Sequence, residues 1–249
     1  PINEELSIMR TTLAASMLHA VERNQKEGTV EGRLFETAKR FIPKSLPLTE
    51  YPEERDTLCV GIWGDNESFF TLKGIAETVA DSLFVHFDYV PEGRSFLHPY
   101  QSASILLGDE TVGYLGKVSY EIMDELSFRT AAYVMELDLS ALEKEYGRHP
   151  RFSPLSRFPD EKRDLALVMD KNVTCGQVEE CMRSTVRCIS DIQLFDVYEG
   201  VQIPPSKKSM AFTVTFRSGE EELSAAAVDG YVKKILRKLK FTMDVDLRA

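Results

Sequence analysis

Between residues 163 and 170 the large apolar side chains Leu165, Leu167 and Met169 fall on alternate positions, with Ala166 and Val168 between them. A period of two predicts a strand, here with one face of large side chains. Thr174 then stands where a helix cap is wanted, and Val178, Cys181, Met182 and Val186 follow at three- and four-residue spacing, which predicts a helix. Residues 191–198 are rich in β-formers. Residues 209–216 alternate cleanly, Met210, Phe212, Val214 and Phe216 against Ser209, Ala211, Thr213 and Thr215, and Gly200, Pro204 and Pro205 predict a loop between the two runs. Helical spacing returns over residues 224–239 through Val228, Val232, Ile235, Leu236 and Leu239. Phe241, Met243, Val245 and Leu247 then alternate as a last strand.

The order β-α-β-β-α-β predicts a ferredoxin-like unit: an antiparallel sheet with two helices on one face and the other face open. Upstream the pattern is mixed. Leu13, Met17 and Val21 form a helical stripe, residues 33–36, 58–63 and 133–139 read as strands, and a helix opens at Phe69. Residues 103–107 and 111–118 flank Gly108 and Asp109, a hairpin signal. Gly147, Pro150, Pro154 and Pro159 punctuate a stretch without periodicity, which places a boundary between domains at residues 1–150 and 151–249.

With 43% hydrophobic residues in 249, the chain can bury a core, and disorder is excluded. No run of about 18 apolar residues occurs, and no secretory leader is visible, so a cytoplasmic protein is expected. The four cysteines lack Cys-x-x-Cys spacing and are expected to be reduced thiols. The first residue is Pro1, and a piece of something longer is expected. Residues 1–150 carry 14 basic against 25 acidic residues, net −11, and residues 151–249 carry 16 against 15, net +1. If any part meets nucleic acid, the second is the electrostatically permitted one.

Ser156-Arg-Phe-Pro159 followed by Arg163-Asp-Leu-Ala166, then Leu194-Phe-Asp-Val-Tyr-Glu-Gly200, then Lys207-Lys-Ser209 resemble the ferredoxin-fold anticodon-binding domain that closes the β subunit of bacterial phenylalanyl-tRNA synthetase. Met9-Arg-Thr11, Leu34-Phe-Glu36, Phe69-Phe-Thr-Leu-Lys-Gly74, Leu97-His-Pro99 and Val112-Gly-Tyr-Leu-Gly116 resemble the module preceding it. The resemblance implies an α+β chain: a class II synthetase-like antiparallel sheet domain that is catalytically silent, then the ferredoxin-like domain. It also implies tRNA(Phe) and an α subunit as partners in an α2β2 assembly, with ATP and magnesium used by the intact enzyme and no cofactor bound here. Two loops depart from the family: Tyr100-Gln101 stands where Gly-Arg is usual, and Ser119-Tyr120 where His-Pro is usual.

No catalytic or metal-ligating residues are assigned. Class II adenylation needs an arginine on the α-phosphate and a late Gly-rich segment bearing a second one; Arg10 stands alone and is read as structural. His98, taken as a loop residue, has no nucleophile beside it, and His19, His86 and His149 are too scattered for a metal. Cys181 and Cys188, seven apart, are expected to pack on one helical face.

For the anticodon the candidates are Arg157 and Arg163 by the first strand, Lys207 and Lys208 at the loop before the third, Ser209, Thr213 and Thr215 on the open face, and Tyr198 as a stacking aromatic. Thr242, Asp244 and Asp246 should make the fourth strand of that face a poor phosphate neighbour. Phe212 and Phe216 are read as core. The basic run Lys233, Lys234, Arg237, Lys238 and Lys240 is either a solvated helix face or a contact to an RNA backbone or a partner. Two other classes stay open: an assembly module whose last domain binds protein, and a freestanding enzyme using the first domain. An open face buried under other protein, or lined mainly by carboxylates, would require the decoding role to be abandoned.

Overall fold

The computed structural model describes residues 8–145, 152, 156–218 and 222–248. The chain divides into two compact units, Pro1–Pro150 and Arg151–Ala249. Gly147, Pro150 and Pro154 of the punctuated stretch, and His149, lie outside the described residues.

The first unit opens with helix α1 (Ala14–Lys26), the edge hairpin β1 (Gly32–Ile42) and β2 (Glu53–Trp63), and helix α2 (Phe69–Ser82). Strands β3 (Asp88–Pro91), β4 (Leu97–Leu107) and β5 (Glu110–Val118), short helix α3 (Tyr120–Glu125), strand β6 (Ala132–Asp138) and the single turn α4 (Leu139–Leu142) complete it. The sheet runs β1-β2-β6-β5-β4-β3, every pairing antiparallel. Ser68 caps α2 by accepting the Thr71 N–H, which starts the helix where the apolar spacing does. Leu72, Ala76 and Ala80 of α2 cover one face, against Val60, Ile62, Met135 and Leu137. Leu13, Met17, Leu18 and Val21, on and just before α1, cover the other, against Cys59, Trp63 and Val134. Gly61 lets α1 come this close, since a Cβ there would lie 2.8 Å from Met17 Cγ. With both faces covered, β6 is buried at every position. His98 lies within β4, not in a loop.

The second unit is β7 (Glu161–Asp170), α5 (Cys175–Thr185), β8 (Ile189–Tyr198), β9 (Lys207–Phe216), α6 (Ala225–Met243) and β10 (Asp246–Leu247). The antiparallel sheet order is β10-β7-β9-β8. A capping box between Thr174 and Gln177 starts α5. Both helices lie on one face, where Val178, Met182, Val228, Ile235 and Leu239 meet Leu165, Leu167 and Met169 of β7 and Met210, Phe212, Val214 and Phe216 of β9.

Two expectations are corrected. Phe241 and Met243 belong to α6, because positions 239 and 243 continue its i, i+4 stripe as well as they begin an alternation; the chain turns only at Asp244, whose φ is +51°. The last strand is therefore only two residues long. Cys188 lies beyond the end of α5 and shares no helical face with Cys181; all four cysteines are free thiols.

Candidate nucleic-acid interface

The face of the second sheet turned away from α5 and α6 is built from the residues that alternate with the core. Cross-strand pairing sets them in rows: Asp246, Val168, Ser209 and Tyr198; Ala166, Ala211 and Asp196; Asp164, Thr213 and Gln193; Lys162, Thr215 and Asp191. The middle strand contributes a low floor. Ser209, Ala211 and Thr215 are 3%, 8% and 6% exposed, sunk between longer neighbours on β7 and β8. Thr213 reaches higher and donates its hydroxyl to Asp164 Oδ1 at 2.6 Å.

At one end of this floor the backbone N–H of Arg248 donates to the Ala166 carbonyl at 2.7 Å, continuing the β10 pairing by one residue. The Arg248 side chain crosses the sheet, so that its guanidinium stands 4.8 Å from the centre of the Tyr198 ring and donates to Gln202 Oε1 at 2.9 Å. Tyr198 is half-buried, its ring folded back against Gly200, where a Cβ would collide with it. An aromatic face and a guanidinium plane are the two groups on which unstacked bases stack, and both stand here beside a floor of small side chains.

Of the eight residues singled out from the sequence, Tyr198, Ser209, Thr213 and Thr215 share this face, Ser209 and Thr215 largely beneath it. Arg163 does not. It is paired opposite Val214 on the helix-covered side, held by Glu161 Oε2 at 3.0 Å and by Asp229 of α6 at 3.2 Å, and these bonds raise its already high pKa. Lys208 pairs opposite Met169 and so also belongs to the covered side. Lys207, at the strand end, lies 3.5 Å from Asp244 at the α6 C-cap. Arg157 stands exposed in the bend before β7 and makes no ion pair among the described residues.

The expected open face of small and hydroxylated residues is found along β9, with Ala166 and Tyr198 beside it; its flanking strands also carry Asp164, Asp191, Asp196 and Asp246, against Lys162 and Arg248. Thr242 and Asp244 are not on it, being helical and capping. Asp196 was missed because a bulge at Phe195 reverses the alternation along β8. Arg248 had a signal: the alternation that puts Asp246 on this face puts Arg248 there too.

The first unit holds a buried charge cluster. Glu136, 2% exposed on β6, accepts the hydroxyls of Thr12 at 2.5 Å and Tyr114 at 2.8 Å, and Arg40 lies 3.5 Å away. Burial, beside the Glu136 charge, pushes the Tyr114 phenol up. Asp138 Oδ2 receives Arg40 at 2.7 Å and Arg55 at 2.8 Å, while its Oδ1 caps α4 through the Ala141 N–H. Burial alone would raise the Asp138 pKa, but the bonds from Arg55, Ala141 and Arg40 outweigh it and hold the carboxyl below its ordinary range. Arg10 is tied to Glu36 at 3.1 Å and to the Lys39 carbonyl at 2.9 Å. These acids already have arginine partners and Arg10 is spent on β1, so this cluster does not fit a nucleotide with its magnesium.

Two family models match the chain. Residues 1–139 match the family model described as the phenylalanyl tRNA synthetase beta chain CLM domain, and residues 156–248 match the ferredoxin-fold anticodon binding domain. The second unit is thus a domain of the anticodon-binding class. The chain belongs to the phenylalanyl-tRNA synthetase beta chain family. It is 34% identical over its whole length to the phenylalanine–tRNA ligase beta subunit of Clostridium tetani and 33% identical to that of Bacillus subtilis, covering 32% of each. The chain therefore spans about a third of the length of these relatives. Among solved structures, the pyrrolysyl-tRNA synthetase of Desulfitobacterium hafniense is similar over 54% of this chain and 48% of its own, with TM-score 0.45 and 15% identity. Among the described residues, no helix is long and apolar enough to cross a membrane.

Proposed function

We propose that this chain is the C-terminal part of the β subunit of a cytoplasmic phenylalanine–tRNA ligase, whose second unit grips the anticodon loop of tRNA(Phe). An α subunit, joined to it in an α2β2 heterotetramer, carries out the ATP- and magnesium-dependent aminoacylation, and the first unit supports that assembly without chemistry of its own. The observation that carries the RNA reading is the Arg248–Tyr198 stack beside the small-residue floor. The aspartates acquire a use in it. A carboxylate repels phosphate but accepts the N–H donors on a base edge, so Asp196, one row from Tyr198, is placed to read a base rather than to hold the backbone.

Binding of a tRNA(Phe) anticodon hairpin to the 249-residue chain tests this. Tyr198→Ala is expected to weaken it about tenfold or more, at the scale of about 1–3 kcal/mol for one base–aromatic stack. Asp196→Asn is expected to reduce the preference for the cognate loop over one with an altered anticodon. Equal affinity for both loops in the parent chain would refute base reading at this face.

The four aspartates also favour a second reading, an assembly module whose open sheet binds a protein. Hairpin binding with no dependence on salt, or none at all, would decide for it. Phenylalanine-dependent ATP–pyrophosphate exchange by the isolated chain would contradict the silent role of the first unit.

A further inference from the structure

On α6 the buried stripe of Val228, Ile235 and Leu239 faces the sheet, and at 3.6 residues per turn Lys233, Lys234 and Arg237 come round on the side turned away from it, with Lys238 at its flank. All four are exposed, and none is ion-paired among the described residues. Lys233 with Arg237 and Lys234 with Lys238 are like charges four residues apart, a spacing that destabilises a bare helix. Several other cations of this unit are matched: Arg163 by Glu161 and Asp229, Arg217 by Asp160, Lys171 by Glu199, Lys240 by Asp244 and Asp246. The pairing of Lys240 raises its pKa to about 12, so its charge is already answered. The densest run of unmatched positive charge is thus on the exposed surface of α6, while the open face of the sheet carries four aspartates against Lys162 and Arg248.

An RNA whose bases lie on the open face brings phosphates that those aspartates repel, and its backbone has to leave toward cations. The β10 edge offers the way. That strand is two residues long, Arg248 follows it on the open side, and behind it lies a groove of about 440 Å³ between Phe241 and Leu247, rimmed by Arg237 and Lys240. Phe241, 90% exposed on the outer surface of α6, stands at the end of the Lys233–Arg237 row. The two carboxylates at this edge, Asp244 and Asp246, are both held by Lys240.

We propose that the sugar–phosphate backbone flanking the bound loop turns round the β10 edge and runs along the outer face of α6, with Lys233, Lys234, Arg237 and Lys238 neutralising its phosphates. This rests on the anticodon-loop reading above and adds to it a second surface, which contributes affinity without base discrimination.

The test uses the 249-residue chain and two RNAs, the anticodon hairpin of tRNA(Phe) and its loop alone as a single-stranded oligonucleotide, with affinities measured by fluorescence anisotropy across a range of potassium chloride. Lys233→Ala/Arg237→Ala/Lys238→Ala should lower the slope of log affinity against log salt for the hairpin by about two to three, at about 0.7–0.9 per lost phosphate contact. Affinity at low salt should fall by an order of magnitude or more, while loop binding and the preference for the cognate anticodon persist. Alanine suits an exposed helix, so the fold should survive, and Lys233→Arg/Lys238→Arg should retain the parental slope. A parent chain that binds the hairpin with a slope the triple variant leaves unchanged overturns the α6 path and leaves the anticodon reading intact. Failure of the parent chain to bind either RNA overturns the anticodon reading and the path with it.

Discussion

Replacing Asp138 by asparagine removes a charge from the middle of the first unit while keeping the volume. Asp138 is 4% exposed; its Oδ2 takes bonds from Arg40 and Arg55, and its Oδ1 takes the Ala141 N–H at 3.1 Å. Asparagine can keep the α4 cap but turns an amide donor toward two guanidinium groups. Hydrogen bonds to charged groups contribute about 1.5–3 kcal/mol each, so losing both sets an upper range of about 3–6 kcal/mol. Arg55 is 36% exposed and keeps Glu53, and Arg40 keeps Glu136, so water and these partners recover part of the loss. The expected destabilisation is about 2–4 kcal/mol at pH 7. Asp138→Ala, which also loses the cap, should cost about 1 kcal/mol more.

Trp63 makes the measurement specific. It is the chain's single tryptophan, 2% exposed in the α1-side core, so its fluorescence during urea unfolding reports the first unit. The pH dependence supplies a second check. The folded pKa of Asp138 lies below the unfolded value of about 3.9, so its contribution is present above that pH and is lost as pH falls through the folded pKa. The stability gap between the parent and Asp138→Asn should therefore narrow toward pH 3. A gap under about 0.5 kcal/mol at pH 7, the range of an ordinary surface change, would refute the reasoning. So would a gap that stays constant down to pH 3.

Gly61→Ala would push a methyl to 2.8 Å from Met17 Cγ and 2.9 Å from its Sδ, and should lower the stability read from Trp63 by about 1–3 kcal/mol; an unchanged midpoint would mean that α1 can move away freely. Gly200→Ala should drive the Tyr198 ring off Arg248 and weaken hairpin binding at unaltered far-UV circular dichroism, and parental affinity would remove the stack from the site. Phe212→Ala, fully buried beneath α5 and α6, should cost about 3–5 kcal/mol, seen as loss of second-unit circular dichroism at lower urea; a cost under 1 kcal/mol would contradict its place in the core.

What could be read in the sequence follows from where one face of an element is wet. Residues 163–170 and 209–216 alternate because one side meets the helices and the other does not, and both became strands with the core set on the side the alternation gives. β6 obeys no such rule. Its run Met135-Glu-Leu-Asp138 looks half exposed, yet α1 covers the polar side, and the acids are tolerated there because Arg40 and Arg55, 98 and 83 residues upstream of Asp138, reach them. Local spacing carries no trace of that pairing. The end of α6 failed for another reason: an apolar residue at every second position satisfies a strand and an i, i+4 helical stripe alike, and the left-handed turn at Asp244 that settles the choice is cheap for aspartate but not demanded by it.

The site was legible to the same extent and for the same cause. β9 keeps strict alternation, so Ser209, Thr213 and Thr215 fell on the open face as read, whereas β8 carries bulges after Ile189 and Leu194 that no periodicity reveals. Arg163 and Lys207 were sought beside the expected loop, although Glu161, Asp229 and Asp244 were there to bind them. Once those pairs are set aside, the densest group of unpaired cations lies on α6, and the open face of the sheet carries four aspartates against Lys162 and Arg248, with one guanidinium over one ring at its end. A surface that holds phosphates by itself needs cations in excess, and on the sheet the aspartates outnumber them. If bases are read on the sheet and the backbone is held on α6, as proposed, a binding assay resolves the two as discrimination and salt slope.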